Sequence, residues 1–219
     1  MKKYLLILSL LFLFSCKKTV EFESNFRFSS AQPINDSELS KIPNKFIGVF
    51  MNKDSTYLNI NSNSILSENY SRFKVHKMTL DSLKTEFSIH NGKYILKENK
   101  QIYDSKIVGD SIELSSKNVD TLFVLSKSQK AKRINGHLII SQKESFYWTS
   151  KILNLDDNVL KIREIFSEKD RIRLDSLTTI KSKQVDSATF LVEPTRREFS
   201  KILNLKNFGY EQQFNKISK

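Results

Sequence analysis

The sequence has little cysteine, glycine or proline. One cysteine among 219 residues excludes a disulfide framework and a cluster of thiolate metal ligands. Five glycines and three prolines are too few for a glycine-rich nucleotide cradle, a collagen-like segment or a proline-rich linker. What is present, 39% hydrophobic and 11% aromatic residues, is enough to bury a core. The length allows one medium domain or two small ones.

The longest apolar run lies at the N-terminus and is too short to span a bilayer. Three residues, Met1 to Lys3, form a positive start, and the run extends from Tyr4 to Phe14. A membrane-spanning helix needs about 20 apolar residues. The run ends in Leu-Phe-Ser before Cys16, which resembles the lipobox of bacterial lipoprotein signal peptides.

This resemblance implies that residues 1–15 are a signal peptide and that Cys16 is the lipid attachment site. Acyl chains on Cys16 would tie the mature protein to a membrane without spanning it. No aspartate follows Cys16, so the resemblance implies the outer membrane, with the periplasmic or surface face left open. The alternatives are an ordinary signal peptide and a buried N-terminal segment with an incidental thiol.

The rest of the chain divides into three predicted segments. Residues 16–41, rich in serine, asparagine and charge, are predicted to form a lipidated flexible tether. Phe22, Phe26 and Phe28 alternate as in a short strand, so docking of this piece on the domain is the alternative. Residues 42–128 are predicted to form a β-meander lobe. Residues 129–219 are predicted to form a β lobe with a C-terminal helix, and the polar stretch 126–133 marks the boundary.

The predicted fold class is mainly β, an antiparallel meander or barrel-like sheet with a C-terminal α-helix. Asn91-Gly92 predicts a type I′ hairpin between strands 87–90 and 93–96. Gly109-Asp110 predicts a second hairpin, between strands 106–108 and 111–114. Further strands are predicted at Phe46–Phe50, Leu58–Ile60, Arg72–Met78, Leu122–Leu125, Leu138–Ile140, Ser145–Thr149, Val159–Ile165 and Ala188–Val192.

Two helices are predicted near the C-terminus. Thr195 and Glu198 have the spacing of a capping box, which predicts a helix over 196–205 with Phe199, Ile202 and Leu203 on its buried face. A serine at 167 and an aspartate at 170 give a weaker helix start, and a strand is the alternative there.

One hexapeptide occurs twice. Ser-Lys-Ile-Leu-Asn-Leu stands at 150–155 and again at 200–205. The first copy is expected in or beside a strand and the second on a helix, so biased composition explains the recurrence better than duplication does.

The resemblance extends beyond the signal peptide. Asp120–Phe123, then a basic stretch leading to Gly136, then Trp148 in an aromatic strand, then Glu193–Thr195 opening a helix are similar to lipoproteins common in flavobacteria. These are fold-forming residues in a group without an assigned activity, so the resemblance implies a location and no reaction.

Few residues have a pattern that predicts chemistry. The three histidines, His76, His90 and His137, lack the spacing of metal ligands, so no metal and no cofactor is predicted. A convergence of the three in space is the alternative. Asp156–Asn158 lacks the alternating ligands of a calcium loop, and a hairpin turn is expected.

Acidic pairs have the residue type that glycoside hydrolysis uses, but not a diagnostic spacing. Glu164 with Glu168 and Asp104 with Asp110 cannot be told from surface charge. Catalytic residues are therefore not assigned.

The formal net charge of +12 favours a solvated basic surface over a polyanion site because the lysines are spread along the chain. The partners expected are the membrane, through the acyl chains on Cys16, and a protein or an anionic ligand of the envelope. Nucleic acid is not expected. Tyr147 lies between Phe146 and Trp148, which strand alternation places together on a core face, with a sugar- or peptide-binding platform as the alternative.

The predicted function is a noncatalytic, lipid-anchored binding or structural module of the cell envelope. An envelope-polymer hydrolase is one alternative, which requires a cleft with converging acids or histidines. An immunity-type lipoprotein that neutralises a toxin is the other, which requires a charged protein-binding face.

Overall fold

The computed structural model describes residues 25–165, 167–187 and 189–218. Strands make up 52% of the structure and helices 15%, which confirms the predicted mainly-β class. The strands are Asn25–Phe28 (β1), Gly48–Met51 (β2), Tyr57–Ile60 (β3), Ser64–His76 (β4), Phe87–His90 (β5), Lys93–Leu96 (β6), Ile102–Val108 (β7), Ser111–Val124 (β8), Gln129–Ile134 (β9), His137–Glu144 (β10), Tyr147–Asp156 (β11), Val159–Glu164 (β12), Lys183–Gln184 (β13), Thr189–Val192 (β14) and Tyr210–Ser218 (β15). The helices are Leu80–Glu86 (α1), Glu168–Leu177 (α2) and Arg196–Leu203 (α3), with 3₁₀ turns at Asn44–Phe46 and Lys77–Thr79.

The strands form one large mixed sheet that is not closed into a barrel. Its order is β13-β14-β1-β11-β12-β15-β2-β3-β4-β8-β7-β6-β5, with β10 beside β11 and β9 beside β10. Nearly all neighbours are antiparallel, and β1 pairs in parallel with β14. The last strand, β15, joins β12 to β2 and so connects the two predicted lobes.

The two predicted lobes share one hydrophobic core. Phe50 and Phe123, from residues 42–128, are buried in the same cluster as Leu153 and Phe214, from residues 129–219. We call the part of the molecule around this cluster the body. Because one cluster contains residues from both sides of the 126–133 stretch, that stretch does not separate two cores.

A second layer covers the outer face of β9–β12. Phe28, Ile152 and Phe199 belong to its buried cluster, and the rings of Phe28 and Phe199 meet edge to face at 6.1 Å. The strand β1 lies in the sheet between β14 and β11, and its Phe26 and Phe28 belong to this cluster, so the described part of the predicted tether, residues 25–41, packs on the body. For residues 25–41 the structure therefore has the alternative arrangement, in which the segment docks on the domain, and not a flexible tether.

The outer halves of β4 and β8 extend away from the shared core as an arm, residues 67–120, with β5–β7 and α1. The pairing of β4 with β8 continues without a break from Leu66 opposite Thr121 to His76 opposite Ser111. The arm has a small buried cluster of its own, made of Phe87, Tyr94, Tyr103, Ile112 and Leu114.

Local sequence signals placed the turns at Asn91-Gly92 and Asp157-Asn158 and the starts of α2 and α3 correctly, whereas α1 was not predicted. Asn91 and Gly92 have φ angles of 50° and 76°, as the type I′ turn requires, and Asp157 and Asn158 form a turn with φ angles of 42° and 68°. Both predicted capping boxes are present, at the starts of α2 and α3. The predicted buried stripe of α3, Phe199, Ile202 and Leu203, is confirmed.

Candidate functional site

The three histidines lie in different parts of the fold. His76 and His90 end β4 and β5, and His137 begins β10. Within the described ranges, no group of three or more histidine, cysteine, aspartate or glutamate side chains is placed to hold a metal ion. His137 is considered below because it lines a pocket.

Three of the four acidic residues singled out in the sequence, Glu164, Glu168 and Asp104, pair with bases. Glu164 accepts a hydrogen bond from Lys151 at 2.7 Å, and Glu168 pairs with Arg171 on the first turns of α2. Asp104 pairs with a lysine of β6 at 3.2 Å. These carboxylates therefore form ion pairs on strand and helix surfaces.

The prediction that Phe146 lies on a core face together with Trp148 is wrong. Ser145 and Phe146 form the turn between β10 and β11, where Ser145 has a φ of 56° and Phe146 is 83% exposed. Strand alternation does not apply across a turn. Trp148 lies opposite Phe28 and packs against the outer cluster, so the rings do not form a shared platform.

The clearest open surface of the arm is one edge of β8. The strand β7 pairs with β8 only from Asp104 opposite Ser115 to Val108 opposite Ser111. Beyond Ser115, none of the described strands pairs with this edge as far as Val124. A shallow, largely open groove of about 500 Å³ lies along it, lined by Asn99, Gln101, Ile102, Ser116, Lys117, Asn118, Val119 and Asp120.

Side-chain amides cover one face of this groove. The amide of Gln101 donates to Asn118 at 2.7 Å and to Ser116 at 3.2 Å. The amide of Asn118 donates to Asn69 and Ser71 of β4, each at 2.9 Å. These bonds hold the polar side chains in fixed positions beside the strand edge.

Apolar side chains flank the other face. Ile102 is 52% exposed and Val119 is 50% exposed. Because side chains alternate along a strand, Val119 points away from the face that holds Asn118, and Ile102 points away from the face that holds Tyr103. The groove is therefore polar on one side, and on the other side it combines Ile102 and Val119 with Lys117, whose ammonium pairs with Glu68 at 2.8 Å.

The other edge of the arm, the outer part of β4, carries basic side chains. The strand β3 pairs with β4 only between Ile65 and Glu68, so β4 is also an edge strand farther out. That stretch carries Arg72 and Lys74, both exposed. Basic residues on an edge strand oppose pairing with another chain.

A buried lysine fixes the N-terminal segment to the body. Lys132 of β9 is 7% exposed and donates hydrogen bonds to the carbonyl oxygens of Ala31 at 3.0 Å and Pro33 at 2.9 Å. Burial lowers the pKa of the Lys132 ammonium, and the carboxylates of Glu38 and Asp36 oppose this effect. No local sequence signal predicts this role, since Lys132 stands between Ala131 and Arg133 in a basic stretch.

A pocket lies on the outer face of the body, where β10–β12 and β15 meet the end of α3. It encloses about 160 Å³, and its polar lining is His137, Asn154, Lys161, Arg163 and Glu211. Burial lowers the pKa of the His137 imidazole and of the Arg163 guanidinium. Of these five residues only His137 was singled out in the sequence, although Lys161 and Arg163 alternate with core residues of β12 and so share a face.

No protein-family description, curated protein or solved structure matches the chain. The functional conclusions therefore depend on the residues and their geometry. No helix in the described part of the chain is both long enough and apolar enough to cross a bilayer. The predicted signal peptide and Cys16 lie outside the described residues.

Proposed function

We propose that this protein is a noncatalytic binding module, held at the cell envelope by lipid on Cys16, that binds an extended segment of a partner protein along the open edge of β8. The observation that supports the binding role is the groove that follows the edge from Ser116 to Asp120. The lipobox-like sequence before Cys16 supports the anchor.

Backbone geometry supports a strand as the bound segment. An edge strand presents unpaired N–H and C=O groups, and an added strand hydrogen-bonds to them about 4.8 Å away. Side-chain pockets on alternate faces then give specificity. The partner segment that fits has hydrogen-bonding side chains toward Gln101 and Asn118 and apolar side chains toward Ile102 and Val119.

The proposed anchor keeps this surface close to the membrane. Eight residues, 17–24, lie between Cys16 and the start of β1 at Asn25. Fully extended, they span at most about 30 Å. The start of β1 would therefore lie within that distance of the bilayer, so the partners would lie in or beside the envelope.

Labelling with radioactive palmitate tests the anchor. The wild-type chain is expected to incorporate label and to require detergent for extraction from the envelope fraction. Cys16→Ala removes the thiol that would carry the lipid, so it should incorporate none. Equal labelling of both proteins, or an unlabelled wild-type chain released into the medium, would contradict the anchor. Neither result concerns the groove, which has its own test.

Site-specific photocrosslinking in cells tests the groove. A photoreactive residue in place of Ile102 is expected to give a discrete adduct with a partner protein. The same residue in place of Lys74, on the basic edge of β4, is the matched control and should give none.

A charge placed on the groove distinguishes strand pairing from chance proximity. Val119→Lys changes an exposed side chain and should leave the fold intact while opposing strand addition. The adduct at position 102 is expected to fall to the level of the Lys74 control. An adduct of unchanged yield in the Val119→Lys protein would refute pairing at this edge.

A further inference from the structure

The pocket on the outer face of the body has a lining fixed by strand register. Ile162 of β12 is buried in the shared core, so its neighbours Lys161 and Arg163 both point to the outer face. In register, Asn154 of β11 lies opposite Lys161, and Glu211 of β15 lies opposite Arg163. Adjacent strands thus bring these side chains together from distant parts of the sequence.

The two cations differ in how firmly they are held. Arg163 donates through Nη2 to the carbonyl oxygen of Leu203 at 2.7 Å and through Nη1 to that of Leu205 at 3.2 Å. These bonds orient the guanidinium and use two of its five donors. Lys161 lies 3.8 Å from a carboxylate oxygen of Glu211, beyond hydrogen-bond distance, so its ammonium keeps free donors.

The pocket also contains two acceptors. The Nδ1 atom of His137 lies 3.0 Å from the carbonyl oxygen of Asn135, which can only accept, so Nδ1 carries the proton. Burial lowers the pKa of His137, which leaves Nε2 of the neutral ring as an acceptor. The carboxylate of Glu211 is the second acceptor.

We propose that this pocket binds inorganic phosphate as the hydrogen phosphate ion. Lys161, Arg163 and Asn154 would donate to the unprotonated oxygens. Glu211 or Nε2 of His137 would accept the remaining P–O–H proton. Two cations against one carboxylate leave the lining positive, and the volume of about 160 Å³ admits an ion of this size. The site lies on the body and does not depend on the strand edge of the arm.

A comparison of phosphate with sulfate distinguishes recognition by these acceptors from simple charge attraction. Sulfate has the same tetrahedral shape but carries no proton at neutral pH, so it cannot donate to Glu211 or His137. A site with these acceptors is therefore expected to prefer phosphate over sulfate. A diffuse basic surface has no reason to distinguish the two.

Calorimetric titration of the full chain in detergent micelles tests the proposal, with inorganic phosphate, glycerol phosphate and sulfate as the three ligands. Phosphate is expected to bind more tightly than sulfate. Lys161→Gln should weaken phosphate binding about tenfold, the effect of losing one charge-assisted hydrogen bond. Lys53→Gln removes the same charge from an exposed turn and should leave the binding unchanged.

Glu211→Gln tests the acceptor side. The substitution removes the negative charge that repels sulfate, so the ratio of the phosphate affinity to the sulfate affinity should fall. The thermal unfolding midpoint should stay near that of the wild type. Glycerol phosphate is mostly a dianion without a P–O–H proton at neutral pH, so it should bind more weakly than inorganic phosphate. Glycerol phosphate that binds as tightly as inorganic phosphate would contradict the role of the two acceptors and overturn the proposal. Absence of phosphate binding, equal affinity for sulfate in the wild type, or equal weakening by Lys53→Gln would overturn the proposal.

Discussion

Single polar residues decide how the N-terminal segment is held. Lys132 is a charged residue at a buried strand position, which is costly unless its donors find acceptors. It finds them in two backbone carbonyls of residues 31 and 33, more than 90 positions away in the sequence. Close by, the backbone N–H of Gln32 donates to the hydroxyl of Ser141 at 3.3 Å. These contacts attach to the body the segment that follows the proposed anchor.

Replacement of Lys132 by methionine tests this attachment. Lys132→Met keeps the long apolar stem but leaves two buried carbonyls without a donor, so the free energy of unfolding is expected to fall by about 1–3 kcal/mol. Equilibrium denaturation at pH 7 measures the loss.

The neighbouring Lys130 gives the matched control. Its ammonium pairs with Glu38 at the surface, and Lys130→Met should cost about 1 kcal/mol or less. A larger loss in Lys130→Met than in Lys132→Met would contradict the assigned role of Lys132.

At the scale of elements, one hexapeptide forms a strand in one place and a helix in another. The copy that starts at Ser150 lies in β11, where Ile152 faces the outer cluster and Leu153 the shared core. In the copy at 200–205, Ile202 and Leu203 lie together on the buried face of α3. The neighbouring sequence makes the difference, because Thr195 and Glu198 start a helix five residues before the second copy.

The capping box of α3 predicts a dependence of stability on pH. The backbone N–H and the hydroxyl of Thr195 donate to the carboxylate of Glu198 at 2.9 Å and 2.8 Å, which lowers the pKa of Glu198 from its ordinary value near 4.5. The stabilisation is therefore present above about pH 4.5 and is lost as the pH falls through the lowered pKa of the folded state.

Thermal unfolding of Glu198→Gln at several pH values tests this expectation. The variant should have a lower midpoint than the wild type at pH 7, and the difference should shrink at a pH below the lowered pKa. Glu193→Gln makes the same change of charge outside the capping box and serves as the control. A difference in unfolding midpoint between wild type and Glu198→Gln that grows toward acid pH would contradict the expected pH dependence.

For the whole molecule, the separate clusters of the body and the arm predict unequal stability. The arm buries few side chains, and the body holds the large shared core. Local opening of a region costs little where few apolar contacts hold it. The arm is therefore expected to open without unfolding of the body.

Two leucine truncations test this separation. Leu114 and Leu153 are both fully buried, one in the arm and one in the body. Leu114→Ala should cost about 2–5 kcal/mol locally, seen as faster amide hydrogen exchange in the arm alone. Leu153→Ala should raise exchange throughout the body. Faster exchange of the body in Leu114→Ala would mean that the arm and the body unfold together.

The sequence predicted best where a structure depends on neighbouring residues. The hairpin at Asn91-Gly92 and the capping boxes of α2 and α3 follow from local backbone conformation and hydrogen bonds, and they are present. The prediction failed at Ser145 and Phe146, where a turn interrupts a run of strand-forming residues. The strand β15 was not predicted, because its polar sequence gains its partners only from β12 and β2.

The sequence by itself determined the mainly-β class, the turns at Asn91-Gly92 and Asp157-Asn158, and the starts of α2 and α3, since those depend on contacts between residues a few positions apart. Only the tertiary structure decided that both lobes share one core, that an edge of β8 stays open along a groove, and that Asn154, Lys161, Arg163 and Glu211 line one pocket with His137. These features depend on strand register and on pairing between segments far apart in the chain, and local composition does not encode which distant strands will meet.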